Sequence, residues 1–195
     1  VTLQIQQEKG HNAHFFMNKK MLMNKKNVYL IGLMGAGKTT VGRLLAKSLS
    51  VPFYDSDKAI EDITGVDIAT IFEFEGEKGF RIRENKMIKE LTELEDIVMA
   101  TGGGVILNEE NRTRLKENGF VVYLKCSVDR IVDRTSRNTQ RPLLNVDSPR
   151  EKIQALLNDR ESLYQSCADF VIDSGQIQSK AAVKEILKEY THKFN

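Results

Sequence analysis

Only two cysteines occur in this chain of 195 residues, and Cys126 and Cys167 are not spaced as a metal-ligand pair. A disulfide framework and a cysteine-based zinc site are both excluded on that count, and the two thiols are read as reduced and partly buried. No apolar run approaches the roughly 20 residues that a bilayer-spanning helix needs. The chain also opens without a signal-peptide pattern, so a soluble, cytoplasmic protein is expected. Charge of one sign is missing too. A formal net charge of +2 gives no reason to expect a nucleic-acid or membrane partner.

The length suits one domain with a substantial core. Residues 1–26 are polar, rich in Asn, Lys and Gln, and without sustained periodicity. They are expected to form a flexible N-terminal extension, with a functional start near Met17, Met21 or Met23. His11 and His14 have no further ligands beside them and make no metal site. From residue 27 to 195 a single α/β domain is expected, because strand-like and helix-like segments alternate.

The expected strands are Val28–Ile31, Val51–Tyr54, Ile97–Ala100, Phe120–Leu124 and Asp169–Asp173. Between them, Ile60 and Ile63 mark a helix closed by Gly65. Asp67 caps a helix that stops at Gly76, and a longer one runs from about Glu77 to Glu95 with Phe80, Met87, Ile88, Leu91 and Leu94 on its packing face. Asn108 caps a helix that Gly119 closes, and Ser127 opens one to about Arg137. Ser148-Pro149 starts the next, serine at the cap and proline in the first turn. Val183, Ile186, Leu187 and Tyr190 stripe the last.

Between the first strand and first helix lies Gly32-Leu33-Met34-Gly35-Ala36-Gly37-Lys38-Thr39-Thr40, a match to the Walker A pattern. Backbone N–H groups of such a loop, with the positive end of the following helix, make a polyphosphate site. Lys38 adds a positive charge, and the Thr39 hydroxyl can reach a magnesium ion on the terminal phosphates. Ligands of an open parallel sheet bind beyond the carboxyl ends of its strands. Asp55 and Asp57, after the second strand, and Gly102-Gly103-Gly104, after the third, should therefore converge on this loop. Two carboxylates there would repel a nucleotide unless a cation or an acceptor hydroxyl intervenes. Asp55 would help to order magnesium through water, and Asp57 would hold and deprotonate an acceptor hydroxyl; alone, both would read as turn residues. The triple glycine gives a backbone path closed to other residues and lets a ligand approach the main chain.

Arg160 shares the apolar stripe of Ile153, Leu156, Leu157 and Tyr164, so its charge needs a partner. Snorkelling, a structural ion pair or a bound carboxylate would each satisfy it. Arg81, one turn before Glu84, is similar, and two fixed guanidiniums could bind a small carboxylate through paired hydrogen bonds. Arg130, Arg134, Arg137, Arg141 and Arg150 fall in or beside an irregular basic stretch. A lid is expected over about 136–148, with Arg141, fixed by Pro142, approaching the phosphates as an arginine finger. Arg130 and Arg150 read as solvated charges, and the stretch lacks the interleaved aromatics of a nucleic-acid surface.

Taken in order, the Walker A loop through Gly42, Asp55-Ser56-Asp57, Phe80-Arg81, the triple glycine, Arg141-Pro142-Leu143-Leu144 and Arg160 with Tyr164 resemble the motif set of shikimate kinases over about residues 27–190. That resemblance implies a three-layer α/β/α P-loop fold of the nucleoside-monophosphate-kinase type, with a five-stranded parallel sheet ordered 2-3-1-4-5. It implies transfer of the ATP γ-phosphoryl group to the 3-hydroxyl of shikimate, dependent on Mg2+, in chorismate and aromatic amino acid biosynthesis, by a monomer. By the same resemblance, Asp57, Arg81, Gly102, Gly103, Gly104 and Arg160 bind shikimate, the two arginines taking its carboxylate. Gly35, Ala36, Gly37, Lys38, Thr39 and Thr40 hold ATP. Lys38 and Arg141 stabilise charge on the transferring group, Thr39 and Asp55 serve magnesium, and Arg134 lies against adenine. The loop Ser174-Gly175-Gln176-Ile177-Gln178 departs from the basic residue that many relatives place near adenine. A gluconate-type kinase would share loop, sheet and lid but not Asp55-Ser56-Asp57 together with Arg81, the triple glycine and Arg160. A GTP-dependent switch protein would carry Asn-Lys-x-Asp, which does not occur.

Overall fold

The computed structural model describes residues 27–136 and 148–194. The N-terminal extension and nearly all of the expected lid, including Arg137 and Arg141, lie outside the described residues.

Five parallel strands form one sheet in the order β2-β3-β1-β4-β5. They are β1 Asn27–Ile31, β2 Phe53–Asp55, β3 Val98–Ala100, β4 Gly119–Lys125 and β5 Phe170–Asp173. The three interior strands are buried on both faces, β1 and β3 throughout and β4 from Gly119 to Leu124. That explains why Val28–Ile31 and Phe120–Leu124 are continuous apolar runs rather than alternating ones. Among the described residues, seven α-helices cover the sheet: α1 Lys38–Leu49, α2 Ser56–Thr64, α3 Ile68–Thr92, α4 Glu109–Asn118, α5 Val128–Thr135, α6 Pro149–Cys167 and α7 Ser179–Phe194. A short 3-10 turn, Val105–Leu107, precedes α4. Helix α1 packs against α7 and the strands, while α4 packs against α3 and α6, giving layers of helix, sheet and helix. Among the described residues no helix is long and apolar enough to cross a membrane.

The capping residues act largely as their types require. Asp67 accepts from the Thr70 N–H at 2.7 Å, Asn108 from Asn111 at 3.2 Å and Ser127 from Arg130 at 3.5 Å. Ser148 occupies the N-cap of α6 but makes no side-chain cap bond, leaving Pro149 as the start signal. The expected stop at Gly76 is a break inside α3, where φ is 69° and ψ is −177°. Beyond it the helix ends at Thr92 rather than Glu95, and Leu94 is 39% exposed instead of packed. Ile63 is also largely exposed. Gly119 does not terminate α4 through a left-handed turn, as expected of a closing glycine. Its backbone is extended, it begins β4, and its need for glycine is spatial: a Cβ would lie 2.5 Å from the Tyr29 ring.

Candidate active site

The carboxyl ends of β1, β2 and β3 open on one cleft of about 650 Å³. Its lining joins Gly35, Gly37, Lys38, Thr39 and Thr40 from the phosphate loop to Asp55, Asp57, Arg81, the triple glycine, Arg134 and Arg160. Every expected site residue that is described lines this cleft, except Ala36. Ala36 lines an adjoining hollow of about 180 Å³ together with Gly37, Thr40, Arg134 and Ile177. Chain reversal after each strand, not proximity in sequence, brings these segments together.

In the loop, Gly35 and Gly37 have φ of 78° and 94°, a left-handed path that residues with a Cβ rarely follow. Gly37 is the N-cap of α1 and offers no side-chain acceptor, so no side chain competes for the first-turn N–H groups. The buried Lys38 ammonium donates to the carbonyls of Gly32 and Leu33 at 2.7 and 2.9 Å. Arg134 ties the loop to the far side of the site, donating to the Gly35 carbonyl at 3.1 Å and the Ser174 carbonyl at 3.0 Å. Ser174, buried, donates to the Ala36 carbonyl at 2.7 Å.

Asp55 uses its two oxygens separately. Oδ1 accepts from the Lys58 N–H at 3.4 Å and caps α2, while Oδ2 accepts from the Thr39 hydroxyl at 2.8 Å. Helix capping, which the sequence did not mark at Asp55, and a place beside the phosphate loop thus coexist in one side chain. Thr39 and Asp55 offer neighbouring hard oxygens, and Mg2+ commonly takes one or two carboxylates and fills its remaining positions with phosphate and water. Among the described residues no group of three or more His, Cys, Asp or Glu side chains forms a metal cage.

Asp57 Oδ1 is shielded from solvent and has no hydrogen-bond partner among the described residues. Burial first, then the nearby Asp55 and Glu84 carboxylates, push its pKa up to about 7 against the opposing pull of Lys38 and Arg81. Glu84, 1% exposed, is raised by burial and held down by Arg81. Arg81 is clamped by Glu84 at 2.8 Å and by Glu77 at 2.9 Å. Burial lowers the Arg81 pKa, but the two glutamates outweigh it and hold the guanidinium charged. Arg160, 5% exposed, donates to the Gly103 carbonyl at 3.2 Å.

The triple glycine departs from the expected conformational explanation: none of the three has a positive φ. Space is what favours glycine at the first and third positions, whereas a Cβ on Gly103 would make only ordinary contacts of 3.4 Å or more. A Cβ on Gly102 would lie 2.6 Å from Asp57 Oδ1 and 2.8 Å from Glu84 Oε1, and one on Gly104 would enter the Arg81 guanidinium. Ser56 fixes the first glycine, its hydroxyl accepting from the Gly102 N–H at 3.0 Å.

Glu84 belongs to the site beyond an orienting role for Arg81, since it also faces Gly102 and raises Asp57. Its spacing from Arg81 signalled the first contact only. Phe72 lines the cleft as well, and so does Phe80, whose helical spacing marked it for the packing face. Altogether six basic and four acidic side chains line the cleft, an arrangement that suits anionic ligands while keeping one carboxylate ready to accept a proton.

Residues 34–191 match the family model described as shikimate kinase. A shikimate kinase from Methylococcus capsulatus is 51% identical over 169 residues, covering 87% of this chain and 94% of that protein. One from Dechloromonas aromatica is 49% identical, covering 86% and 91%. The solved structure of a shikimate kinase from Acinetobacter baumannii in complex with shikimate superposes with a TM-score of 0.87 at 44% identity. That match covers 90% of this chain and 98% of the other.

Proposed function

Because the chain belongs to the shikimate kinase family, whose members transfer phosphate from ATP to shikimate, we propose that this cleft carries the ATP γ-phosphoryl group to the 3-hydroxyl of shikimate. The products are shikimate 3-phosphate and ADP, a step of chorismate and aromatic amino acid biosynthesis. The observation that carries the reading is the single cleft shared by the phosphate loop and by Asp57, Arg81, Gly102–Gly104 and Arg160.

In this reading the loop amides take the phosphates, and Lys38 exchanges the Gly32 and Leu33 carbonyls for phosphate oxygens as charge develops. Adenine occupies the hollow beside Arg134 and Ile177, where the loop after β5 contributes no basic side chain. Mg2+, when bound, neutralises and aligns the terminal phosphates. Thr39 and Asp55 would hold it. Arg81 and Arg160 take the shikimate carboxylate, a role supported by the Glu77 and Glu84 clamp that fixes one guanidinium and the Gly103 carbonyl that fixes the other. Asp57 accepts the hydroxyl proton while the oxygen forms its bond to γ-phosphorus and the bond to the ADP oxygen breaks. For Arg141, outside the described residues, the family resemblance supports a role in stabilising charge on the transferring group. The two unpaired cysteines suit a reducing compartment, so a cytoplasmic enzyme is proposed, and the family resemblance supports a monomer.

An ADP-release assay with shikimate, quinate and gluconate tests this. Strong stimulation by shikimate, abolished by EDTA, is expected. Equal stimulation by all three, or none by shikimate, would remove the acceptor assignment.

A further inference from the structure

The Gly103 carbonyl accepts two hydrogen bonds from α6, one from the Arg160 guanidinium at 3.2 Å and one from the Tyr164 hydroxyl at 2.5 Å. A carbonyl oxygen has two lone pairs, so this acceptor is filled. Peptide units are planar, and the described residues contain no cis bond, so holding the Gly103 oxygen also fixes the direction of the Gly104 N–H on the opposite side. That N–H, like the one of Gly103, has no partner among the described residues. Gly104 nevertheless lines the cleft against Arg81. An unpaired main-chain donor in a cleft is either satisfied by a ligand or left to water.

Tyr164 is built to hold this peptide. It has no exposed surface, and its ring stacks on Tyr123 with centroids 4.9 Å apart and planes 17° from parallel. Tyr123 is anchored in turn, its hydroxyl donating at 2.8 Å to Glu161, which also accepts from Lys125 at 2.9 Å. Burial raises the Tyr164 phenol well above its ordinary range, so it remains a donor at physiological pH. Stack and hydroxyl have separate jobs: the stack fixes the ring, and the hydroxyl fixes the peptide.

We propose that Tyr164 is a positioning residue of the acceptor site, orienting the Gly103–Gly104 peptide, and with it Arg160, for shikimate without touching it. The proposal rests on the reading that shikimate is the acceptor. Without the hydroxyl, Arg160 alone holds the carbonyl, and both the guanidinium and the Gly104 N–H lose a fixed direction.

Titration calorimetry with shikimate and with ADP, on the unaltered protein, Tyr164→Phe and Tyr123→Phe, tests it. Tyr164→Phe should bind shikimate five- to tenfold more weakly with ADP affinity within twofold, while Tyr123→Phe keeps both within twofold. Shikimate affinity within twofold in Tyr164→Phe would overturn the proposal. So would equal weakening of both ligands, or an equal effect of Tyr123→Phe. In the unaltered protein, the Gly104 amide resonance should shift when shikimate is added, and an unmoved resonance overturns the proposal independently of any variant. Failure of the unaltered protein to bind shikimate would remove the acceptor assignment itself, and this proposal with it.

Discussion

Asp57 places a carboxyl whose Oδ1 is unpartnered between two other acidic groups, and the fold bears the cost of keeping it there. Its carboxyl has an ordinary value of 3.8 and is raised to about 7 in the folded protein. Between those two values the folded state holds a proton that the unfolded state has released, so stability falls as pH rises across that window. Above about pH 7 the loss is complete. Asp57→Asn removes the titration. In EDTA, its melting temperature should match the unaltered protein near pH 4 and exceed it near pH 8, and with Mg2+ supplied it should show no turnover. A parallel pH profile for the two proteins would show that Asp57 does not carry this slope. The residue type and its spacing from Asp55 were readable in the sequence. Its shift was not, because burial, the largest cause, follows only from the folded packing, and Glu84 reaches it from another helix.

At the scale of elements, α3 is two helical segments joined at Gly76, and both present side chains to the cleft: Ile68 and Phe72 before the break, Phe80, Arg81 and Glu84 after it. Glu75 spans the break with a two-point ion pair to Arg83, at 2.8 Å on Nε and 2.5 Å on Nη2. That pair is largely exposed, and such pairs contribute only about 0–1 kcal/mol, so the glycine backbone rather than the pair sets the angle. A Cβ on Gly76 would meet nothing within 4 Å, which leaves backbone conformation as the whole cost of substitution. Gly76→Ala should therefore cost about 2 kcal/mol, lowering the melting temperature by about 4–8 °C for a domain of this size. If the segments reorient to relieve the strain, the KM for shikimate rises more than that for ATP. Unchanged melting would mean that the break tolerates a side chain. Sequence reading placed this break at Gly76 because glycine after an amphipathic run is a stop signal. It also placed a second helix from about Glu77; what it could not supply was the α2 and α4 surfaces that the two segments pack against.

For the whole molecule, the cleft is shared between segments from three strand ends and from α3, α5 and α6, so ligands that bridge them bind only the folded state. At a concentration of 100 times its dissociation constant, a ligand adds about 2.7 kcal/mol to stability, or about 5–10 °C in melting temperature for a chain of this length. Shikimate should produce that shift and gluconate should not; equal shifts would contradict the assignment of shikimate as the acceptor. Strands, caps and the phosphate loop were legible because each depends on neighbours within a few residues. The sequence by itself determined an α/β alternation, a nucleotide loop followed by a helix, and carboxylates and glycines at strand ends, since these follow from periodicity and local backbone chemistry. Tertiary structure alone decided that Gly102 and Gly104 answer a need for space rather than conformation. It also decided that Asp57 is raised first by burial, with Glu84 adding to it, and that the Gly103 carbonyl is held by both Arg160 and Tyr164. Those are contacts between segments distant in the chain, and hydrogen-bond reach and burial are set only when the sheet brings them together.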